Sequence, residues 1–128
     1  MAVTIVRLGS ERAKGEGPRI GTVRHPPRGV RKTDYSAQNW YDVWLPLLAP
    51  SAALLRTSRI QSDRKGWTAF ARRYERELKQ PEQSHVLDVL AALSHHASFS
   101  VGCYCAEEQY CHRSILRRVL IDRGAAVL

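Results

Sequence analysis

The spacing of apolar residues along the chain changes between two periods, one typical of strands and one typical of helices. Residues 3–8 (VTIVRL) and 19–24 (RIGTVR) are rich in β-branched side chains, and we predict a strand in each. Residues 98–104 are apolar on both faces, which is typical of a central strand in a parallel sheet. The last four residues, 125–128, are predicted to add one more short strand.

Helical periodicity predicts three helices, at residues 64–79, 81–96 and 112–123. The first is amphipathic, with apolar residues recurring on one face (Trp67, Phe70, Ala71, Tyr74, Leu78) and arginines largely on the other. Gly124 is a natural stop for the last helix. Ser51 is expected to cap a further short helix that runs to about residue 55.

Strands that alternate with helices predict an α/β fold with a mainly parallel sheet flanked by helices. The length of 128 residues fits a single domain over residues 1–128 with a core of its own. The apolar fraction of 44% and the charged fraction of 25% are ordinary for a soluble globular protein.

The first residues show no secretory signal, and the longest apolar run, residues 44–55, is too short to span a bilayer. Three cysteines lie within nine residues, an odd and clustered set that does not suggest a disulfide framework. We therefore expect a cytoplasmic, reduced protein without a membrane partner.

The net charge of +8 is spread unevenly along the chain. Residues 11–32 carry seven Lys/Arg against two acidic residues, so five of the eight excess charges lie there. Within this segment, residues 25–32 (HPPRGVRK) form a proline-rich basic loop directly after a predicted strand. Such a segment attracts phosphate-rich partners, and the alternative is a solvated basic surface.

All three cysteines lie in residues 98–114, where a predicted strand leads to a helix that begins Cys111-His112-Arg113-Ser114. Free N–H groups and the positive end of the macrodipole make a helix start suitable for an anion. We expect Arg113 and Ser114 to bind this anion, with Arg24 and Arg28 closing the pocket from loop 24–29. The alternative is that Arg113 pairs with Glu107 or Glu108.

Nucleophilic catalysis is a second interpretation of the same residues. Cys111 lies at the helix start beside His112, so its pKa could be depressed and the pair could be catalytic. Cys111 and Arg117 have the spacing of cysteine phosphatases, but the residues between them are predicted to be helical and so cannot wrap a phosphate. Whether the protein is an enzyme stays open.

A metal site is the third interpretation. Cys103, Cys105, Cys111 and His112 provide enough ligands for zinc or an iron–sulfur centre. The usual zinc knuckle, however, is Cys-x2-Cys, and Cys103 is expected to pack inside the sheet as a small apolar residue. We therefore assign no metal ligand from the sequence, and the cofactor stays unknown.

Several motifs together resemble one family. They are Arg28-Gly29-Val30 in the proline-rich loop, Trp44-Leu45, Leu48-Ala49-Pro50-Ser51, the series Trp67, Phe70, Tyr74, Glu77-Leu78, and the Cys-His-Arg-Ser helix start. The combination resembles domain of unknown function 488, and its YeaO-like branch most closely. The resemblance implies a small Rossmann-like α/β domain and implies no activity.

The leading hypothesis is that the chain binds a phosphorylated or otherwise anionic ligand, such as a nucleotide, at the Cys105–Ser114 turn and loop 24–29. The rival hypothesis is a nucleic-acid-associated module that uses the basic charge, with Tyr35 or Trp40 stacking on bases. A concave pocket at the strand ends would favour the first hypothesis, and a broad basic face the second.

Overall fold

The computed structural model describes residues 1–60 and 64–128. In these residues, four strands lie at Val3–Arg7 (β1), Arg19–Gly21 (β2), Val43–Trp44 (β3) and Phe99–Cys103 (β4). Four α-helices lie at Ala52–Ile60 (α1), Arg64–Leu78 (α2), Pro81–Leu93 (α3) and His112–Asp122 (α4). Short 3-10 turns lie at Lys32–Asp34, Pro46–Leu48 and Glu108–Tyr110.

The strands form one parallel sheet in the order β1-β4-β2-β3. In the ladder between β1 and β4, Val3 lies opposite Phe99 and Ile5 lies opposite Val101. On the other side of β4, Ile20 of β2 also lies opposite Val101. The five residues of β4 are all buried, as expected for the centre of a parallel sheet. The predicted α/β fold, a parallel sheet flanked by helices, is confirmed.

One face of the sheet packs against the helices. Alternate strand residues share a hydrophobic cluster with side chains from all four α-helices (Val3, Ile5, Phe99 and Val101 with Leu54, Phe70, Tyr74, Leu78, Leu87, Leu90, Ile115, Leu116 and Leu120). The amphipathic character of α2 is confirmed, because its predicted apolar stripe faces this cluster. Each fully buried leucine contributes roughly 1.5–3 kcal/mol to the free energy of unfolding.

The opposite face of the sheet is covered by loops that a buried ion pair holds in place. The Arg19 side chain is fully buried and donates to both carboxylate oxygens of Glu16 at 2.8 and 3.0 Å. Glu16 also accepts a hydrogen bond from Ser100 of β4 at 2.7 Å. Arg19 further donates to the carbonyl oxygens of Ser10 and Asn39. The loop after β1 and the segment before β3 are thereby fixed to the sheet.

Some element boundaries differ from the sequence predictions. β2 ends at Gly21 instead of residue 24, because its outer neighbour β3 has only two residues before Pro46 redirects the chain. The strand β3 itself was not predicted. Residues 125–128 form no full strand, since Val127 makes a single parallel bridge to Val3.

The helices show smaller differences. α1 runs on to Ile60 rather than ending near residue 55, and Ser51 caps it as predicted by accepting a hydrogen bond from the Leu54 N–H at 3.1 Å. α3 ends at Leu93 instead of residue 96. After the helix, a turn in which the Ala97 N–H donates to the Leu93 carbonyl oxygen leads the chain into β4.

Among the described residues, no helix combines the length and the apolar character needed to cross a membrane.

We predict that the buried pair of Glu16 and Arg19 makes the free energy of unfolding depend on pH. Burial alone would raise the pKa of Glu16, but hydrogen bonds from Arg19, Ser100 and the Ala13 N–H outweigh it and lower the pKa from the usual 4.5 to about 2. Because this pKa is depressed in the folded state, the contribution of Glu16 is complete above about pH 4.5 and is lost as the pH falls towards 2. Glu16→Gln should remove this dependence and cost about 3–5 kcal/mol near neutral pH, since Arg19 is left buried without its counterion.

The measurement is urea unfolding of wild type and variant at a series of pH values from 7 down to 2. The matched control is Glu11→Gln in the same loop, where the side chain is exposed and the expected change is within about 0.5 kcal/mol. A Glu16→Gln variant as stable as wild type at pH 7 would contradict the assigned role of this pair.

Candidate functional site

The carboxyl ends of β1, β2 and β4 lie at the same edge of the sheet, because all three strands are parallel and adjacent. The residues after β4 run through a loop and the turn Glu108–Tyr110 into α4. Cys111 is the residue before this helix and keeps an extended backbone, with φ of −120° and ψ of 150°. The predicted strand–loop–helix connection is therefore present, at the edge where open α/β sheets bind ligands.

The three cysteines form one cluster at this edge. The Cys103 and Cys111 sulfurs and a ring nitrogen of His112 all lie within 4.8 Å of one another. Cys105 lies two residues after Cys103, on the loop that leads to Cys111, and its thiol is not one of the atoms in this group. Cys103 and Cys111 are 1% and 2% exposed, whereas Cys105 is an exposed residue. All three thiols are free.

Interactions among the three thiols shift their pKa values in different directions. Hydrogen bonds from Cys103 and then from Cys111 lower the pKa of Cys105. The hydrogen bond with Cys105 correspondingly raises the pKa of Cys103. At Cys111, the hydrogen bond with Cys103 lowers the pKa, but the hydrogen bond with Cys105 and burial outweigh it and raise the pKa overall.

His112 is 9% exposed and has a defined tautomer. Its Nε2 lies 2.8 Å from the carbonyl oxygen of Thr22, so Nε2 carries the proton and donates it. Nδ1 is then unprotonated and lies 3.9 Å from the Cys111 Sγ. Burial lowers the pKa of His112 from 6.5 to about 4, so the ring is neutral at physiological pH. Nδ1 can accept a hydrogen bond from the Cys111 thiol or act as a metal ligand.

The predicted catalytic pair, Cys111 and His112, is thus brought together but lies beneath the surface. With Cys111 only 2% exposed, a ligand outside the protein does not contact its sulfur in this conformation. The catalytic role of the pair stays a prediction. Cys103, Cys111 and His112 are also the donor atoms that could hold a metal ion.

Arg113 and Ser114 are engaged with the protein's own backbone. Arg113 is 4% exposed, and its Nη2 donates to the Cys105 carbonyl oxygen at 2.7 Å. The Arg113 Nε is buried and has no hydrogen-bond partner in the described part of the chain. Ser114 donates to the Cys111 carbonyl oxygen at 2.9 Å. Their predicted role in anion binding stays a prediction. In the structure, Arg113 holds the loop that carries Cys105, and Ser114 bonds within the first turn of α4.

Glu108, one of the two alternative partners predicted for Arg113, instead forms an ion pair with Arg117. Both oxygens of Glu108 accept hydrogen bonds from Arg117, at 2.6 and 2.8 Å. No carboxylate among the described residues lies within ion-pair distance of Arg113. The pair of Arg117 and Glu108 also removes Arg117 from any phosphatase-like cradle.

The two arginines predicted from loop 24–29 are separated. Arg24 donates to the carbonyl oxygens of Ala49 and Pro50, both at 3.1 Å, so it anchors the loop. Arg28 is exposed and lines a cleft. The ligand-binding role of Arg24 stays a prediction.

This cleft has a volume of about 580 Å³ and lies over the carboxyl ends of β1 and β4. Its walls come from the end of β1 and the loop after it, from loop 24–29, and from two aromatic residues (Arg7, Leu8, Gly9, Ser10, Pro26, Pro27, Arg28, Trp40, Tyr104). The Trp40 and Tyr104 rings meet edge to face, with their centroids 5.8 Å apart. Tyr104 also donates to the His25 carbonyl oxygen at 2.8 Å, which joins loop 24–29 to the end of β4.

Gly9 is required for the cleft wall. Its φ of +90° is disfavoured for other residues, and a Cβ atom there would lie 2.8 Å from the Trp40 ring. Sequence analysis missed Gly9 and Arg7, which the β1–β4 pairing brings to the same edge as Tyr104. The available signal was the charged residue at the end of the apolar run 3–8.

A family model for DUF488-N3a, described as the active DUF488-N3 subclade, matches residues 3–124. The chain belongs to this family. The resemblance to domain of unknown function 488 is confirmed, while the YeaO-like assignment within the family stays a prediction. The match includes the cleft residues, the thiol cluster and α4 of this DUF488-N3a chain. Comparison with curated proteins and with solved structures gives no match.

We predict that the three thiols of the DUF488-N3a chain differ in accessibility. With a chelator and a reductant present, iodoacetamide should modify Cys105 first, since only Cys105 is exposed. Peptide mass spectrometry over a time course measures the order of modification, and the same experiment in denaturant is the control in which all three should react alike. Cys111 or Cys103 reacting before Cys105 in the folded protein would contradict this arrangement.

Proposed function

We propose that this DUF488-N3a protein binds a small phosphorylated ligand, with a nucleotide as the favoured class, in the cleft over β1 and β4. The observation that carries the proposal is the convergence of two arginines, Arg7 and Arg28, with two aromatic rings, Trp40 and Tyr104, around one concavity. A phosphate needs the guanidinium groups, and a base or other flat ring can pack on the aromatic side chains.

The state of the arginines supports this assignment. Arg12, Arg19, Arg117, Arg118 and Arg123 all form ion pairs with acidic residues. In residues 1–60 and 64–128, by contrast, no carboxylate pairs with Arg7 or Arg28. Two unpaired positive charges at the mouth of one cleft attract an anionic ligand.

The size and position of the cleft support it as well. A volume of about 580 Å³ lies within the range of roughly 300–1,000 Å³ that small-molecule sites occupy. The cleft also lies where parallel sheets usually bind ligands, at the carboxyl ends of their strands. In this proposal Arg24 and Arg113 are positioning residues. Arg24 anchors loop 24–29, and Arg113 holds the backbone of Cys105, next to Tyr104.

Free thiols in all three cysteines also fit the cytoplasmic location that we propose, because a reducing compartment preserves them.

The arginines provide the first test of the binding proposal. Arg28→Ala and Arg7→Ala should each weaken the binding of mononucleotides by roughly 10- to 100-fold, since a hydrogen bond to a charged group contributes about 1.5–3 kcal/mol. Isothermal titration calorimetry with a panel of mononucleotides and with inorganic phosphate measures the dissociation constants. The matched control is Arg72→Ala, an exposed arginine on α2 outside the cleft, which should bind like wild type.

The same panel of ligands tests the aromatic residues of the cleft separately from its arginines. Trp40→Ala should weaken nucleotide binding more than phosphate binding, because only the nucleotide has a ring to pack on it. No binding of any panel member to wild type, or equal weakening by Arg72→Ala and Arg28→Ala, would overturn the proposal.

Nucleic acid is the alternative ligand. The argument for it is the positive charge of segment 11–32, and several of those charges are already paired within the protein. Of the seven basic residues in segment 11–32, Arg12 pairs with Asp42 at 2.8 Å and Arg19 pairs with Glu16. Arg24 is engaged with two carbonyl groups. The segment therefore presents a smaller positive surface than its composition suggests.

Salt dependence distinguishes the two ligand classes. Nucleic-acid binding should weaken about 10³- to 10⁵-fold between about 50 and 200 mM salt if six or more phosphates are contacted. Mononucleotide binding in the cleft should have a much shallower slope, and Arg31→Glu, outside the cleft, should hardly affect it. Fluorescence titration of labelled DNA, RNA and nucleotides at both salt concentrations provides the comparison. Tight DNA or RNA binding that survives 200 mM salt would favour the alternative.

A further inference from the structure

The thiol cluster has features that the binding cleft does not explain. Three donor atoms of metal-ligand type, from Cys103, Cys111 and His112, lie within 4.8 Å of one another in the protein interior. Cys105 follows Cys103 by two residues on the adjoining loop, where Arg113 holds its carbonyl oxygen, and its exposed thiol lies outside this group of three. None of these four residues lines the cleft.

The distances between the donors are close to those of a tetrahedral metal site. Zinc–sulfur bonds of about 2.3 Å and zinc–nitrogen bonds of about 2.1 Å place tetrahedral ligands roughly 3.6–3.8 Å apart. The Cys111 Sγ and His112 Nδ1 are 3.9 Å apart, and the donor atoms of Cys103, Cys111 and His112 all lie within 4.8 Å of one another. Contraction by about 1 Å therefore brings these three donors to tetrahedral spacing, and rotation of the exposed Cys105 side chain would supply the fourth.

His112 is oriented as a ligating histidine usually is. A metal-bound imidazole normally donates its second N–H to a carbonyl or carboxylate, which fixes the ring and its tautomer. Here Nε2 donates to the Thr22 carbonyl oxygen at 2.8 Å, and Nδ1 faces the thiols. The supporting contact comes from the end of β2, so it does not depend on the loop that carries Cys105.

Arg113 provides the independent observation. This cation is only 4% exposed, and no carboxylate in the described ranges pairs with it. Its Nε is buried without a partner, while its Nη2 is fixed to the backbone of Cys105. A buried charge is normally neutralised by a nearby opposite charge. Three thiolates and one divalent cation leave one excess negative charge, which would neutralise this guanidinium.

We propose that Cys103, Cys105, Cys111 and His112 bind one soft divalent metal ion of the zinc class. Thiolate and imidazole donors select such an ion over magnesium or calcium, which require oxygen ligands. Binding joins the end of β4, the loop after it and the start of α4 through a single ion. Each thiol that binds releases its proton. The inference is independent of the proposed ligand in the cleft.

Cobalt titration of the full-length, reduced protein tests the proposal. After chelation and removal of bound metal, Co²⁺ should bind once per chain, with the intense d–d absorption of tetrahedral cobalt and thiolate-to-cobalt charge transfer in the near ultraviolet. Zn²⁺ should displace it and abolish both signals. Elemental analysis of the protein as purified should find zinc near one equivalent.

Variants connect the signals to these residues. Cys105→Ser is exposed, so the fold should survive, and the charge-transfer intensity should fall by about one third because one of three thiolates is lost. The affinity should fall by at least the roughly 10- to 100-fold that loss of a supporting contact costs. His112→Gln and Cys111→Ser should lose the tetrahedral spectrum. His85→Gln, at an exposed histidine of α3, is the matched control and should bind cobalt like wild type.

A second measurement, the rate at which Cys105 is alkylated with and without metal, tests the proposal even if the variants of Cys111 or His112 fail to fold. One equivalent of Zn²⁺ should slow the alkylation of Cys105 in the wild-type protein at least tenfold, as expected for a coordinated thiolate. Unchanged alkylation with Zn²⁺, a weak octahedral cobalt spectrum, or an unaltered spectrum in Cys105→Ser would each overturn the four-ligand site.

Discussion

The buried pair of Arg19 and Glu16 is the constraint on which the functional edge of this protein depends. Arg19 lies on the sheet face that the helices leave uncovered, and its guanidinium connects the Ser10 and Asn39 carbonyl groups to Glu16. Ser100 ties the same carboxylate to β4. A buried ion pair is stable only when its remaining hydrogen bonds are satisfied, as they are here. Because Ser10 and Trp40 line the cleft, this network fixes the distance between two cleft walls.

The cleft and the thiol cluster lie side by side at the carboxyl edge of the sheet and adjoin at Tyr104 and Cys105. Tyr104 belongs to the cleft and contacts Trp40, while Cys105 belongs to the thiol cluster. The short connection from β4 to α4 therefore serves both sites, and Arg113 stabilises it from inside. A parallel sheet makes this possible, because adjacent strands bring their following loops to one edge whatever their separation in sequence.

Membership of the DUF488-N3a family does not by itself identify a reaction. The candidate residues differ in burial, and burial decides which of them a ligand can contact. The cations available to a ligand are Arg7 and Arg28 in the cleft, whereas Arg24 and Arg113 are committed to backbone carbonyl groups. Burial also separates the thiols, with Cys105 accessible and Cys103 and Cys111 enclosed.

The sequence by itself determined the fold class, the long helices, the Ser51 cap and the clustering of the cysteines within residues 98–114, because these depend on local periodicity and on clustered residue types. It also pointed to Arg28 and to the four residues of the thiol cluster. Only the tertiary structure decided that Arg7, Trp40 and Tyr104 share a cleft and that Arg24 and Arg113 turn inward. It likewise decided the two-residue strand β3, which forms through pairing with β2. The physical reason is that burial and partner choice depend on contacts between distant segments, such as Thr22 with His112, which no local pattern encodes.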